Sequence, residues 1–175
     1  RIVERLNLTK GGFYYYNDNK DDLVLQCFEH SAAIIRRAVE LTVASSGQAW
    51  DGLAAFVRGL VRYQLSENGP LLRSAANSAL PDPSQGRRVS AELGRVRERI
   101  SGVVVSGLID GSVRPLDPGL AAHVLLMGIT SASELRRWVT GASEDNAAEL
   151  FARPLMLGLM APSTQLCQSS GLRPM

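Results

Sequence analysis

From Leu23 to Met160 the apolar side chains recur at intervals of three and four residues, and no stretch alternates in twos for long. That rhythm lines one face of an α-helix and cannot line one face of a strand, so it confines the chain to an all-α fold. Leu23, Cys27, Ile34, Ala38 and Leu41 read as the inward stripe of a helix capped by Asn19, with Asp22 completing a capping-box-like pair. The stripe fades at Ser45-Ser46-Gly47, and a second one (Trp50, Leu53, Val57, Leu60, Val61, Gln64) runs to Asn68-Gly69-Pro70. A short helix is expected from Pro70 to Ala79, then a loop over Pro81-Asp82-Pro83-Ser84-Gln85-Gly86. Val89, Leu93, Val96, Ile100, Val103, Val104 and Leu108 mark a long helix that Gly111 stops. Asp117-Pro118 supplies an N-cap and a proline at the first helical position. The last helices are expected over Pro118–Thr140 and Glu144–Met160, the second kinked at Pro154, which lacks the N–H a helix interior needs.

A chain of 175 residues buries enough surface for a real core without metal or disulfide staples. Its two cysteines, Cys27 and Cys167, are far apart and suit a reducing compartment. The net charge of +2 neither requires nor excludes a nucleic-acid partner, which depends on local patches. No apolar run reaches the roughly 18 residues of a membrane span, and no signal-peptide pattern opens the chain, so a cytoplasmic protein without membrane contact is expected.

The most informative stretch for function is Thr9-Lys-Gly-Gly-Phe-Tyr-Tyr-Tyr-Asn-Asp-Asn-Lys-Asp-Asp-Leu23. Phe13 to Tyr16 are four consecutive aromatics, and a helix that buries one face must leave some of them outward. Tyrosine suits that position, because its ring packs while its hydroxyl bonds a polar partner. Thr9 is a good N-cap, and Asn17-Asp18-Asn19 breaks the run before the next helix. A short aromatic, weakly basic helix set against a longer one is what a major-groove reader requires.

This stretch resembles the end of the helix-turn-helix in the tetracycline-repressor (TetR) family, roughly Ser/Thr-Lys-Gly-x-Leu/Phe-Tyr-x-Tyr/His-Phe-x-Ser/Asn-Lys-Glu/Asp-Glu/Asp-Leu. Leu6-Asn7-Leu8-Thr9 is similar to the family's turn between its second and third helices, and Asn17 departs from the pattern where the family usually has a buried Phe. The link from Leu108 through Gly111, Pro115 and Asp117-Pro118 to Ala122 also resembles the family's approach to its penultimate helix. Arg1-Ile-Val-Glu-Arg-Leu6 reads as the second helix already under way, with the family's first helix absent.

The resemblance implies a TetR-like helical protein in three parts: a partial helix-turn-helix over 1–22, an effector-binding and dimerisation body over 23–162, and a tail over 163–175. Thr9, Lys10, Gly11, Gly12, Tyr14, Tyr15 and Lys20 are then the DNA-contacting candidates. Phosphate contacts position such a protein, and base-edge contacts specify its sequence. Phe56, Leu60, Tyr63, Leu72, Val104, Leu108 and Leu125 are candidates for a hydrophobic effector pocket, and equally for plain core. The last helices are apolar around most of their circumference, so Val124, Gly128, Ser131, Ala132, Leu135, Trp138, Phe151 and Leu155 are candidates for a homodimer interface. The implied partners are double-stranded operator DNA, a small hydrophobic or amphipathic effector and a second copy of the chain. The implied activity is ligand-responsive transcriptional regulation, most simply repression.

Cys27 and His30 lie on neighbouring helix positions but lack a third metal ligand, and His123 has no motif partner, so no metal or cofactor is expected. The arginine pairs read as solvated faces. No nucleophile elbow, phosphate loop or zinc-protease motif is present, which argues against an enzyme. The rival from another class is an all-α dimeric ligand-binding or interaction protein without DNA binding.

Overall fold

The computed structural model describes residues 20–44, 47–67, 69, 71 and 82–162, and the regular elements among them are all helical. Helix α1 spans Lys20–Ala44, α2 Ala49–Leu65, α3 Pro83–Ile109 and α4 Pro118–Ser131. A 3-10 turn, Ala132–Glu134, leads into the single turn α5, Leu135–Trp138. A π-turn, Ala148–Ala152, then opens into α6, Arg153–Leu157. Helix α3 is the axis of the molecule, with α4, α1 and α2 packed along it.

All six expected positions of the α2 stripe are buried, as are Val89, Val96, Ile100, Val103 and Val104 on α3. The α1 stripe requires correction. Its buried face is Leu25, Phe28, Ala32, Ile35 and Val39, while Cys27 is exposed, Leu41 is 61% exposed and Ile34 and Ala38 are only partly covered. The expected face also carries His30 and Arg37, both exposed, and turning it inward would bury two ionisable groups. The buried face is an unbroken three-four repeat without a charge.

The segment expected as a loop after Pro81 is instead the start of α3. Asp82 is its N-cap, accepting the Ser84 amide at 2.8 Å and the Ser84 hydroxyl at 2.6 Å, and Pro83 takes the first helical position. At the other end Gly111 adopts the left-handed conformation (φ 74°) that turns the chain out of the helix. Asp117 caps α4 through the Leu120 amide at 2.6 Å.

Helix α2 is capped from a distant part of the chain. Its own N-cap residue, Gln48, offers no side-chain bond; the Ala49 amide donates to Asp110 Oδ2 at 2.8 Å and the Trp50 amide to Ser112 Oγ at 3.2 Å. Burial raises the Asp110 pKa, but the bonds from the Ser112 side chain and the Ala49 and Ser112 amides outweigh it and hold the carboxyl below its ordinary value. A carboxylate depressed on folding stabilises the fold above its unfolded pKa and loses that contribution as pH falls through the folded value. Thermal stability is therefore expected to fall below about pH 4, with a shallower fall in Asp110→Asn. Parallel melting curves for the two proteins from pH 6 down to pH 3 would refute this linkage.

The single helix expected over Pro118–Thr140 is interrupted at Ala132, where the backbone tightens into the 3-10 turn. Thr130 Oγ1 bonds the Leu126 carbonyl at 3.0 Å and Ser131 Oγ the Gly128 carbonyl at 2.8 Å. Hydroxyls bonding back in this way compete with the helical ladder. Pro154, expected inside a helix, instead falls in the first turn of α6, just after the π-turn, where a missing N–H is tolerated.

Gln64, 3% exposed, ties these parts together. Its Nε2 donates to the Ile129 carbonyl at 3.0 Å and its Oε1 accepts the Leu71 amide at 2.8 Å. Among the described residues no helix is long and apolar enough to cross a membrane.

Candidate functional site

Helix α1 is the element that leads into the aromatic motif, since it begins at Lys20, directly after the Asn17-Asp18-Asn19 break. Thr9, Lys10, Gly11, Gly12, Tyr14 and Tyr15, and the Lys20 side chain, lie outside the described residues. The N-terminal half of α1 is joined to the start of α3 by a small apolar cluster separate from the main core: Leu25, Phe28 and Val89, with Val24 and Leu93 against them. A polar ladder follows the same seam. Gln85 donates to Asp22 at 3.4 Å, Arg88 pairs with Glu29 at 2.7 Å, and Arg36 pairs with Glu92 at 2.5 Å. These exposed pairs contribute little stability one by one, but they fix how α1 lies along α3.

Two openings flank the seam. The outer one, about 400 Å³, lies over the ladder, so its Arg36, Arg88 and Arg95 each face a carboxylate of Glu29 or Glu92. The inner one, about 210 Å³, lies between α1, α3 and α4. Its apolar walls are Phe28, Ile35, Leu93, Leu126 and Met127, and its polar rim includes Arg97, His123 and Thr130. A third groove, about 560 Å³, runs past Val43, Gly102, Ile109 and Asp110 at the far end of α1.

The effector candidates among the described residues line none of these three openings. Phe56, Leu60, Val104 and Leu125 are buried in the main core, with Tyr63 and Leu108 packed against it. Phe56 borders a void, with Val39, Thr42, Leu53, Ile100 and Val103, that is too small to admit water. Leu72 lies outside the described residues. His123, which has no motif partner in the sequence, and Arg97, which no motif marks, both line the inner crevice. The lining comes from three helices distant in sequence, so no local spacing signals it.

The dimer candidates divide. Val124 is 49% and Trp138 83% exposed, and Ser131 is exposed as well. Ala132 and Leu135 are buried in the chain's own core, and Phe151 and Leu155 pack against it. Gly128 does admit a close neighbour, but that neighbour is the same chain's α6: a Cβ at Gly128 would lie 2.8 Å from the Leu155 methyls. The face of α4 left uncovered in a single chain is instead Leu120, Val124 and Met127, spaced four and three apart.

Cys27 and His30 are both exposed, and among the described residues no group of three His, Cys, Asp or Glu side chains is placed to hold a metal ion.

This arrangement, a long helix leading from the N-terminal motif into a helical body built around α3, is the fold of the TetR/AcrR-type transcriptional regulators. The chain superposes on a regulator of that family from Thermobifida fusca with a TM-score of 0.62 at 22% identity, covering 90% of this chain and 84% of that one. It superposes on the TetR-family regulator PfmR from Thermus thermophilus with a TM-score of 0.70 at 19% identity, covering 89% and 85%. A third similar structure, AibR in complex with isovaleryl coenzyme A and operator DNA, gives a TM-score of 0.67 at 15% identity, covering 89% and 83%. No family profile matches the sequence, and no curated protein matches it significantly.

Proposed function

We propose that the chain is a cytoplasmic, ligand-responsive regulator of transcription, a repressor that binds operator DNA as a homodimer and is released by a small hydrophobic or amphipathic effector. One observation carries this: a TetR-like body whose first described helix starts at Lys20, directly behind a sequence that resembles the family's recognition helix. Residues 1–22 form the DNA-reading part, 23–162 the effector and dimer body, and 163–175 a tail. Thr9 caps the recognition helix, Lys10, Gly11, Gly12 and Tyr14 face the groove, with Gly12 permitting close approach, and Tyr15 and Lys20 reach phosphates. The uncovered Leu120, Val124 and Met127 face of α4, with Trp138, is the surface for the second copy.

The protein is expected to select, from random duplexes, a near-palindrome with half-sites about one helical turn (~34–36 Å) or a small multiple apart. Affinity should fall steeply with salt, and Lys20→Ala should weaken all sequences alike and reduce the salt slope by about 1. Tyr14→Ala should also relax base preference. Equal, sequence-independent losses in both variants would remove the division of roles. Binding that is indifferent to duplex sequence, or absent, would favour the rival, a dimeric ligand-binding protein that does not act on DNA.

A further inference from the structure

The inner crevice differs in charge from its neighbour across the α1–α3 seam. In the outer groove Arg36, Arg88 and Arg95 are each matched by Glu29 or Glu92. The inner crevice is lined by Arg97 and His123 and by no carboxylate, and Arg97 has no ion-pair partner among the described residues. An open cavity with apolar walls and one unmatched guanidinium at its rim suits a ligand with an apolar body and an anionic head. At about 210 Å³ it is smaller than the range usual for drug-sized ligands, so the body must be short.

We propose that this crevice is the effector site and that it takes a compact organic carboxylate. The carboxylate pairs with Arg97, with His123 as a second hydrogen-bonding group, and the hydrocarbon tail lies against Phe28, Leu93 and Leu126. The assignment rests on the regulatory function proposed above for its consequence, but not for its binding chemistry. The site touches α1 at Phe28, within the small cluster that holds the N-terminal half of that helix to α3. A ligand there changes DNA affinity to the extent that it fits one setting of α1 better than another.

Gly94 provides a variant that tests the site without disturbing its walls. It lines the crevice, and a Cβ built on it meets nothing within 4 Å. Gly94→Leu is therefore expected to project into the open space and occupy it, while gaining helix propensity.

The test is calorimetric titration of the whole chain with the straight and branched carboxylates from butanoate to octanoate, alongside hexylammonium and hexanol as cationic and neutral counterparts. At least one carboxylate should bind, and the counterparts should bind at least about tenfold more weakly. Arg97→Gln should lose about tenfold or more in carboxylate affinity, and Gly94→Leu should abolish binding while melting no lower than the parent. Arg87→Gln, on the same helix but outside the crevice, should bind like the parent. The proposal is overturned if no carboxylate binds at millimolar concentration, if hexylammonium binds as well as hexanoate, or if Arg97→Gln and Gly94→Leu both bind like the parent. Carboxylate binding that is lost in both variants but leaves operator affinity unchanged would uphold the site and refute the regulatory reading.

Discussion

Ala132→Glu is expected to destabilise the single chain severely, whereas Val124→Glu should leave each chain folded and only separate the proposed dimer. Ala132 is 0% exposed in the single chain, where the 3-10 turn packs it into the main core. A carboxylate there has no partner, and an uncompensated buried charge costs about 3–5 kcal/mol or more, against a total stability of about 5–15 kcal/mol. Val124 is 49% exposed on α4, so a charge is tolerated by the monomer and opposed only where a second copy covers it. Circular dichroism on heating, paired with light scattering, separates the two effects. A folded monomer from Ala132→Glu would show that this residue faces the partner and not the core.

Gln64→Leu should destabilise the chain by about 2–4 kcal/mol, because it removes two buried hydrogen bonds and leaves the Leu71 amide without its acceptor. Leucine fills much the same volume, so lost packing contributes little. The urea midpoint should fall with no change in slope, the mark of altered stability in an otherwise unaltered native state. A loss under about 0.5 kcal/mol, the size usual for an unremarkable surface site, would mean that water replaces the amide at both partners.

The α2 stripe was legible in the sequence because its polar and apolar residues fall on opposite faces, so only one orientation of the helix is consistent. On α1 two apolar faces compete, and the choice depends on which one also carries His30 and Arg37. Asp117-Pro118 was readable as a cap, yet Asp82-Pro83 carries the same signal and reads as loop because more turn-forming residues surround it. Gly128 admits a close helix neighbour, but sequence alone does not say whether that neighbour belongs to the same chain. The capping of α2 by Asp110 and Ser112, and the placing of Arg97 and His123 at one crevice, are products of tertiary structure that no local pattern encodes.

Helix α1 is continuous in hydrogen bonding but divided in what holds it. Its C-terminal half, through Ile35 and Val39, belongs to the main core, while Leu25 and Phe28 belong to a cluster of three buried residues with two partly buried ones beside them. Opening free energy follows local burial and not helix length. Amide exchange along this one helix should therefore show two tiers, with protection at the Ile35 end approaching that of global unfolding and protection at the Leu25 end well below it. The half adjoining the aromatic motif can then detach and re-form while the rest of the molecule stays intact, so that an adjustment at the N-terminal end need not pass through the unfolded state.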